Sequence, residues 1–572
     1  MRASASCNPG RFDMLADSIY VPPFASRLPM TTSPALPTSQ PASKRGLWMA
    51  LIAAILGWMF DGFEMGLFPL AARPALREML TQSASPPANL DQTVGLWIGV
   101  MTAGFLVGAS AGGVIFGWLG DRLGRVRAMT LSVLTYAVFS GLCGFSQEPW
   151  HLFAFRFLAS MGMGGEWSLG VSLVMELWPS SSRAWLAGLI GAASNVGFML
   201  VAIISLVLSQ LIADVGQGLL AIGVPENITA ALTSNSGWRL LMICGVLPAL
   251  LTFFIRLFVP ESEKWAEEHS KGTTKQWSSA DLGAVVLGTL AAMAMISVWA
   301  YPEMFGATMA ESTRLAIQIS VTVVGLGLTY AGFTYPIRKY IGRTLAEKPG
   351  SFGTWTGPAI LRRLIIGATL SGVALLGTWA SIQNAAPWAN ELAEKQAEKQ
   401  ALAAGETDVA VVKAKAASAA AYTQIAAGFG AVVGTIFAAL LGDWVGRRFS
   451  YVLLCLGALI SSLVFFQTNT NYDWMFLVTV FFAGGLTASF YGWLPLYLPE
   501  LFPTRVRAFG QGFAFNFGRV IAAVGALQFG YLMQNVFDGS FPKACSVLSL
   551  VYLVGMVVIW FAPETHKQPL PE

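Results

Sequence analysis

The sequence predicts an all-α, polytopic membrane protein built from two related six-helix bundles with two extra central transmembrane helices, and three observations carry that reading. First, the 572 residues are 55% hydrophobic and only 12% charged, with a mean hydropathy of +0.60, outside the balance of a soluble domain. Second, the apolar residues gather into runs of about 20, the length that crosses a bilayer, without the alternation of a membrane barrel. Third, the same short polar modules recur in the same order in both halves.

The runs place spans near residues 46–70, 94–118, 127–145, 151–176, 184–212 and 238–258 in the first half. Two central runs follow at 283–301 and 315–335. The second half has runs at 361–386, 421–442, 449–467, 474–498, 507–533 and 544–562, which makes about 14 spans. Residues 1–45 are rich in Ser and Pro and read as a disordered cytoplasmic tail. Residues 46–258 and 361–562 form the two bundles, 259–360 a linker carrying the extra pair, and 563–572 a second tail. An insertion at 388–420, where Lys395 and Lys399 alternate with Glu391, Glu394 and Glu398, reads as a helical extension beyond the membrane.

Arginines and lysines in short loops set the orientation. Arg122, Arg125, Arg127, Arg183, Arg338, Arg362, Arg447, Arg448, Arg505 and Arg507 all fall on one side, which is therefore cytoplasmic and holds both termini. These arginines account for the formal charge of +4, so nothing points to nucleic acid. The five cysteines have neither disulfide nor metal spacing. No cofactor motif, nucleophile-and-base pair or phosphate loop is present, so an enzyme is excluded.

The repeat is specific. Gly120-Asp121-Arg122-Leu123-Gly124-Arg125, then Glu176-Leu177-Trp178-Pro179 with Arg183, then Pro260-Glu261-Ser262 make up the first copy. Gly442-Asp443-Trp444-Val445-Gly446-Arg447, then Glu500-Leu501-Phe502-Pro503 with Arg507, then Pro563-Glu564-Thr565 make up the second. Asp121 precedes Glu176 by 55 positions and Asp443 precedes Glu500 by 57, while each Glu precedes its Arg by 7. Glycines permit a tight turn and the charges can pair at the membrane edge, so these residues are candidate gates; the alternative, weaker for the coordinated repeat than for a single loop, is that the arginines are topology anchors.

With these modules the chain resembles the major facilitator superfamily over residues 46–565. Asp61-Gly62-Phe63-Glu64, Met161-Gly162-Met163-Gly164-Gly165-Glu166-Trp167 and Pro260-Glu261-Ser262-Glu263-Lys264-Trp265 resemble the sialate:proton symporter family. Gly165-Glu166-Trp167 and Asn516-Phe517-Gly518-Arg519 look more like the monocarboxylate and aromatic-acid porters. The resemblance implies a monomeric secondary transporter of the inner membrane that couples protons to uptake of a small carboxylate such as sialic acid by alternating access. Lactate-like or aromatic acids, sugars, a facilitator or exporter, and a non-transporting sensor are its alternatives.

Ionisable residues inside spans are functional candidates because lipid makes them expensive. His151, His269 and His566 lie at span ends or in loops, so carboxylates must carry any coupled proton. Asp61 and Arg156 fall at matching depths on antiparallel spans, roughly 10–15 Å from the outer surface at 1.5 Å per residue. They can pair, either as the proton switch that the sugar:proton symporters suggest or as a static bridge. Glu64, three positions on, is a second proton site or is solvated at the interface. Glu166 is a third proton site or bonds a neighbouring backbone. Asn195, Gln383, Asn384, Tyr491 and Asn516 are candidate substrate contacts or interhelical hydrogen bonds, and Trp58, Trp379 and Trp493 can stack on a ring or simply pack. Arg519 sits near the midplane with no acidic residue in any predicted span of its own half. It either anchors a substrate carboxylate through its planar fork or is a packing arginine satisfied by carbonyls or Glu166.

Overall fold

The computed structural model describes residues 44–571 apart from 85, 88–89, 301–308, 348–354 and 405–408. The expected tail at 1–45 lies almost wholly outside the described residues, as does the centre of the insertion.

The first half runs through α1 (Lys44–Thr81), α2 (Leu90–Leu123), α3 (Arg125–Cys143), α4 (Pro149–Leu177) and α5 (Arg183–Ala221). A short α6 (Glu226–Thr233) leads into a sixth rod made of α7 (Trp238–Ile243) and α8 (Ala249–Phe258). The linker carries α9 (Glu263–Ser270), α10 (Leu282–Ala300) and α11 (Glu311–Glu347). The second half comprises α12 (Gly357–Trp379), α13 (Ala385–Ala404), α14 (Val409–Val445), α15 (Arg447–Thr468), α16 (Trp474–Ala488), α17 (Phe490–Tyr497), α18 (Arg507–Asn535), α19 (Phe541–Ser549) and α20 (Val551–Val558). The insertion is thus largely helical, with α13 packed along the start of α14.

Among the described residues, twelve helices are long and apolar enough to cross a membrane, against the 14 spans expected. The fourth and sixth expected spans make the difference. α4 has 29 residues, but it carries Arg156, Glu166 and Glu176, all buried, within a glycine- and serine-rich sequence. It can be this polar because its neighbours are helices rather than lipid. The sixth rod is interrupted by a 3₁₀ turn at Cys244–Val246, just before Pro248.

In the first half α4 packs on α2 and α3, and α1 on α5; in the second, α12 packs on α18 and α14 on α16. The halves meet along two seams, α2 with α18 and α5 with α14. Close approach within the first bundle depends on small residues. A Cβ on Gly164 would lie 1.9 Å from the Ala109 carbonyl oxygen, and one on Gly112 would lie 1.8 Å from that of Met161. The central pair packs on itself; α10 lies against α2, and both helices touch α18. Arg343 on α11 holds Asp281 through Nη2 at 2.6 and 2.7 Å, and Trp277 stacks on Tyr340 at 4.2 Å.

The two repeated loops form the same turn. Gly124 at φ 111° and Gly446 at φ 91° end one helix and start the next, a backbone geometry that side chains resist. Each turn leaves the first N–H groups of α3 or α15 unpaired within the helix, and a glutamate from the end of its half fills the gap. Glu261 accepts from the N–H groups of Arg125 at 2.8 Å and Val126 at 3.2 Å. Glu564 accepts from Arg447 and Arg448, both at 3.0 Å. A Cβ on Gly124 would stand 2.3 Å from Glu261 Oε2, so glycine also makes room for the latch.

The two latches differ electrostatically. Burial dominates at Glu261 and pushes its carboxyl above the usual range despite the backbone donors. At Glu564 burial is outweighed by donation from Arg448, Arg447 and His566, which holds the carboxyl below that range. A raised carboxyl is penalised while ionised and relieved as pH falls; a lowered one stabilises above the usual carboxylate range and loses that contribution as pH falls through its own titration. At neutral pH, Glu564→Gln should therefore lower the thermal unfolding midpoint, whereas Glu261→Gln should leave it unchanged or raise it. Denaturation scans at pH 7 and pH 5 check this, and the gap between the variants should narrow at the lower pH.

Candidate functional site

The structure gathers charged side chains into three layers, two along the seam between the halves and one inside the first half. At the arginine-rich end, Asp121, Arg125, Glu176 and Ser262 form one network. Arg125 Nη1 donates to Asp121 Oδ1 at 2.6 Å and to the Gly120 carbonyl at 2.8 Å, and its Nη2 reaches Glu176 at 3.5 Å. Ser262 donates to the other Glu176 oxygen. The second copy matches it: Arg447 grips Glu500 with two bonds at 2.6 and 3.0 Å, and Thr565 donates to the same carboxylate at 2.5 Å.

From these networks bonds cross to the other half. Arg507 Nη1 donates to Glu176 at 3.0 Å, the Phe509 N–H to Asp121 Oδ2 at 2.9 Å, and Arg125 Nη2 to the Thr504 carbonyl at 3.2 Å. Arg505 pairs with Glu268 of the linker at 2.7 Å. The counterparts by repeat are not made. Asp443 is half exposed and 3.7 Å from Arg447, and Arg183, expected to pair as Arg507 does, leaves its Nε unpartnered. Asp443 therefore stands apart from the gating cluster that joins the halves, while Arg183 lies within electrostatic reach of Arg507 and Glu500 without an ion pair to either.

Deeper in the first half, Arg156 does not pair with Asp61. It bonds Glu64 Oε1 at 2.5 Å, Ser140 Oγ donates to the same oxygen at 3.0 Å, and the rings of Phe68 and Phe105 flank the guanidinium at 4.7 and 4.6 Å. Glu64 is fully buried rather than solvated. The reason is helical register: Glu64 lies nearly one turn further along α1, level with Arg156 on the antiparallel α4, and turned toward it.

Asp61 instead faces Glu166. Both are buried, and none of their four carboxyl oxygens has a hydrogen-bond partner of normal geometry. Among charged groups Glu166 acts most strongly on Asp61, followed by Arg519 and Glu64, and the Tyr136 hydroxyl faces the same pair. Glu166 accordingly bonds no neighbouring backbone. Gly57, one turn before Asp61, provides its space: a Cβ there would sit 1.6 Å from Glu166 Oε1.

Beside this pair lies a cavity of about 100 Å³ between the halves, lined by Trp58, Asn195, Trp379, Gln383, Tyr491 and Arg519 among others. Arg519 is 2% exposed, its Nη1 has no partner, and its guanidinium lies 5.2 Å from the Phe515 ring. Neither Glu166 nor a carbonyl satisfies it. Phe515 in turn stacks on Trp167 at 4.0 Å, which places an aromatic layer beside the carboxyl pair.

Three expected contacts fall elsewhere. Asn516 faces the first bundle and clamps it, donating to the Gly164 carbonyl at 2.8 Å. Asn384 turns back on Ala380. Trp493 is packed inside the second half with its Nε1 on Ser450. Sequence reasoning missed Tyr136, Ser194, Thr378, Thr423 and Gln424. Gln424, a long amide inside an apolar helix, carried a signal of the same kind as Asn195; it bridges the seam to the Phe198 carbonyl at 2.9 Å. Tyr136 carried none, because an aromatic inside a span reads as packing.

The sequence profile described as "Sugar (and other) transporter" matches residues 49–282 and 409–572. A metabolite transport protein of Haemophilus influenzae is 25% identical over 527 residues, covering 91% of this chain and 98% of the relative. A cis,cis-muconate transport protein of Acinetobacter baylyi is 23% identical over 526 residues, covering 91% and 95%. Among solved structures, a proton:xylose symporter of the major facilitator superfamily aligns with a TM-score of 0.59 at 17% identity, covering 92% of this chain and 98% of that one. Together with the paired six-helix bundles and their repeated turns, these matches identify the chain as a member of the sugar (and other) transporter family with a major facilitator fold.

Proposed function

We propose that the chain is a monomeric proton-coupled symporter that takes up a small carboxylate by alternating access. One observation carries this reading: a buried arginine with an unpartnered nitrogen lines the interhelical cavity next to two buried carboxyl groups that no cation bonds. An isolated guanidinium in a membrane interior costs several kcal/mol, and a substrate carboxylate in two-point contact with Arg519 would offset it. A proton held between Asp61 and Glu166 would relieve their repulsion. Charge on that pair and charge on the substrate then compete for Arg519, which links proton binding to substrate binding through one residue. Glu64 and Arg156, already matched, serve as a static bridge between α1 and α4.

The domain limits 46–258 and 361–562 fit this reading, with α4 and the α7–α8 rod crossing the membrane to give 14 spans. The arginine-rich end faces the cytoplasm of an inner membrane, by the excess of cations in its loops. The bonds from Asp121, Arg125 and Glu176 to the second half then hold the cytoplasmic gate shut, and Glu261, Arg447, Glu500 and Glu564 brace its two sides. The named relatives include a muconate transporter and a niacin transporter, which favours unsaturated or aromatic acids alongside sialate. Uptake by a transport-deficient strain across sialate, muconate, niacin, lactate and a neutral hexose tests the class. Carriage of the hexose alone would sink the carboxylate assignment.

Asp61→Asn should abolish accumulation driven by a pH gradient while sparing counterflow in proteoliposomes; undiminished uphill uptake would exclude the coupling role. Arg519→Lys keeps the charge but loses the fork, so the apparent KM for a carboxylate should rise about tenfold or more, with little effect on any neutral substrate. Asp121→Asn leaves one acceptor oxygen where Arg125 and the Phe509 N–H of the other half now use two, and removes the charge, so it should increase cysteine labelling from the arginine-rich end. Asp443→Asn, which alters no bond between the halves among the described residues, should change labelling much less; equal labelling in both variants would contradict the gate.

A further inference from the structure

Outside the seam, a cavity of about 340 Å³ opens at the arginine-rich end of the second half, lined by Ala359, Arg362, Arg363, Ile366, Arg448, Phe561, Ala562 and Pro563. We propose that it binds the phosphate of an anionic phospholipid. This inference is independent of the substrate and proton readings.

Three guanidinium groups converge there from two helices, Arg362 and Arg363 from α12 and Arg448 from α15. Among the described residues none of them forms an ion pair. The nearest carboxylate, Glu564, spends its oxygens on the backbone N–H groups of Arg447, Arg448 and His566. Two of the arginines are held in place by single bonds that leave other donors free. Arg448 Nε donates to the Ala562 carbonyl at 2.8 Å, and Arg363 Nη1 to that of Leu501 at 3.2 Å while stacking over Trp355 at 4.2 Å. Arg362 is exposed, and its side chain makes no hydrogen bond among the described residues. Like charges gathered without a counter-ion repel one another, and a phosphate oxygen cluster is the group that planar guanidinium forks match. The start of α12, capped by Thr356, adds the positive end of a helix.

The surroundings select a lipid over a free anion. Ile366 and Phe561 give the cavity an apolar wall. Phe561 is 64% exposed, and Phe449 and Trp560, chain neighbours of the lining residues Arg448 and Phe561, are 52 and 55% exposed, bare aromatic surface of the kind that sits at a bilayer interface. Phosphate and acyl chain thus find their matching surfaces side by side. The repeat offers no second such site: the first-half position corresponding to Arg448 is Val126.

Native mass spectrometry of the purified full chain, with phosphatidylglycerol or phosphatidylcholine added, tests the proposal. Phosphatidylglycerol should be retained preferentially. Each arginine removed, in Arg362→Gln and in Arg362→Gln/Arg448→Gln, should reduce that retention about fivefold and leave phosphatidylcholine unchanged. Millimolar inorganic phosphate should not displace the lipid. Equal retention of both lipids by the parent chain, or unchanged selectivity in Arg362→Gln, would overturn the site. Displacement of the lipid by inorganic phosphate would overturn its lipid source. The Arg362 side chain has no bond to lose among the described residues, so the single variant decides the matter should the double variant fail to fold.

Discussion

A charge inside a bilayer has to be answered within the protein, by an opposite charge, by aimed N–H groups or by a proton. That constraint organises this molecule from one end to the other. At the arginine-rich end Glu176 lies between Arg125 of its own half and Arg507 of the other, so neutralising one carboxylate also joins the two bundles. Further in, Arg156 is answered by Glu64. Between these layers the balance is incomplete: Asp61, Glu166 and Arg519 stay buried without a direct bond. The unanswered charges border the cavity, and the answered ones frame it.

Much of this was legible in the sequence because it depends on local rules. Glycines placed for a tight turn with charges spaced to meet beside it form a unit that spacing reveals, whereas the use of Glu261 and Glu564 to take the free N–H groups at the starts of α3 and α15 was not readable, because it depends on where the end of each half folds back. Depth along a helix was also readable, since rise per residue is constant. Azimuth was not. Glu64 lies nearly a turn beyond Asp61, and that step together with the small angle between them sends Asp61 to Glu166 and Glu64 to Arg156. Asn516 and Arg519 are likewise three residues apart on α18, and only Arg519 reaches the cavity. α4 illustrates a different limit: hydropathy assumes lipid as the surroundings, and a helix enclosed by other helices escapes it.

The two halves share motifs but not state. Glu176 reaches across to Arg507, while Arg183 does not reach Glu500 in an ion pair; Asp121 is buried against the Phe509 N–H, while Asp443 is half exposed. Each repeat contains the same joint, engaged in one copy and disengaged in the other. Symmetry in sequence thus provides equivalent parts, and packing decides which of them bears the closure.

The central helices rest on that engaged side. α10 lies on α2 and both α10 and α11 touch α18, where Tyr330 meets the Phe513 and Phe517 rings edge-on at 5.9 Å. Any parting of α2 from α18 has to peel the pair away from one helix or the other. α10 lies more broadly on α2, and α11 on α18 and α12, so the pair is a strap laid across the closed seam, anchored at one end to each bundle.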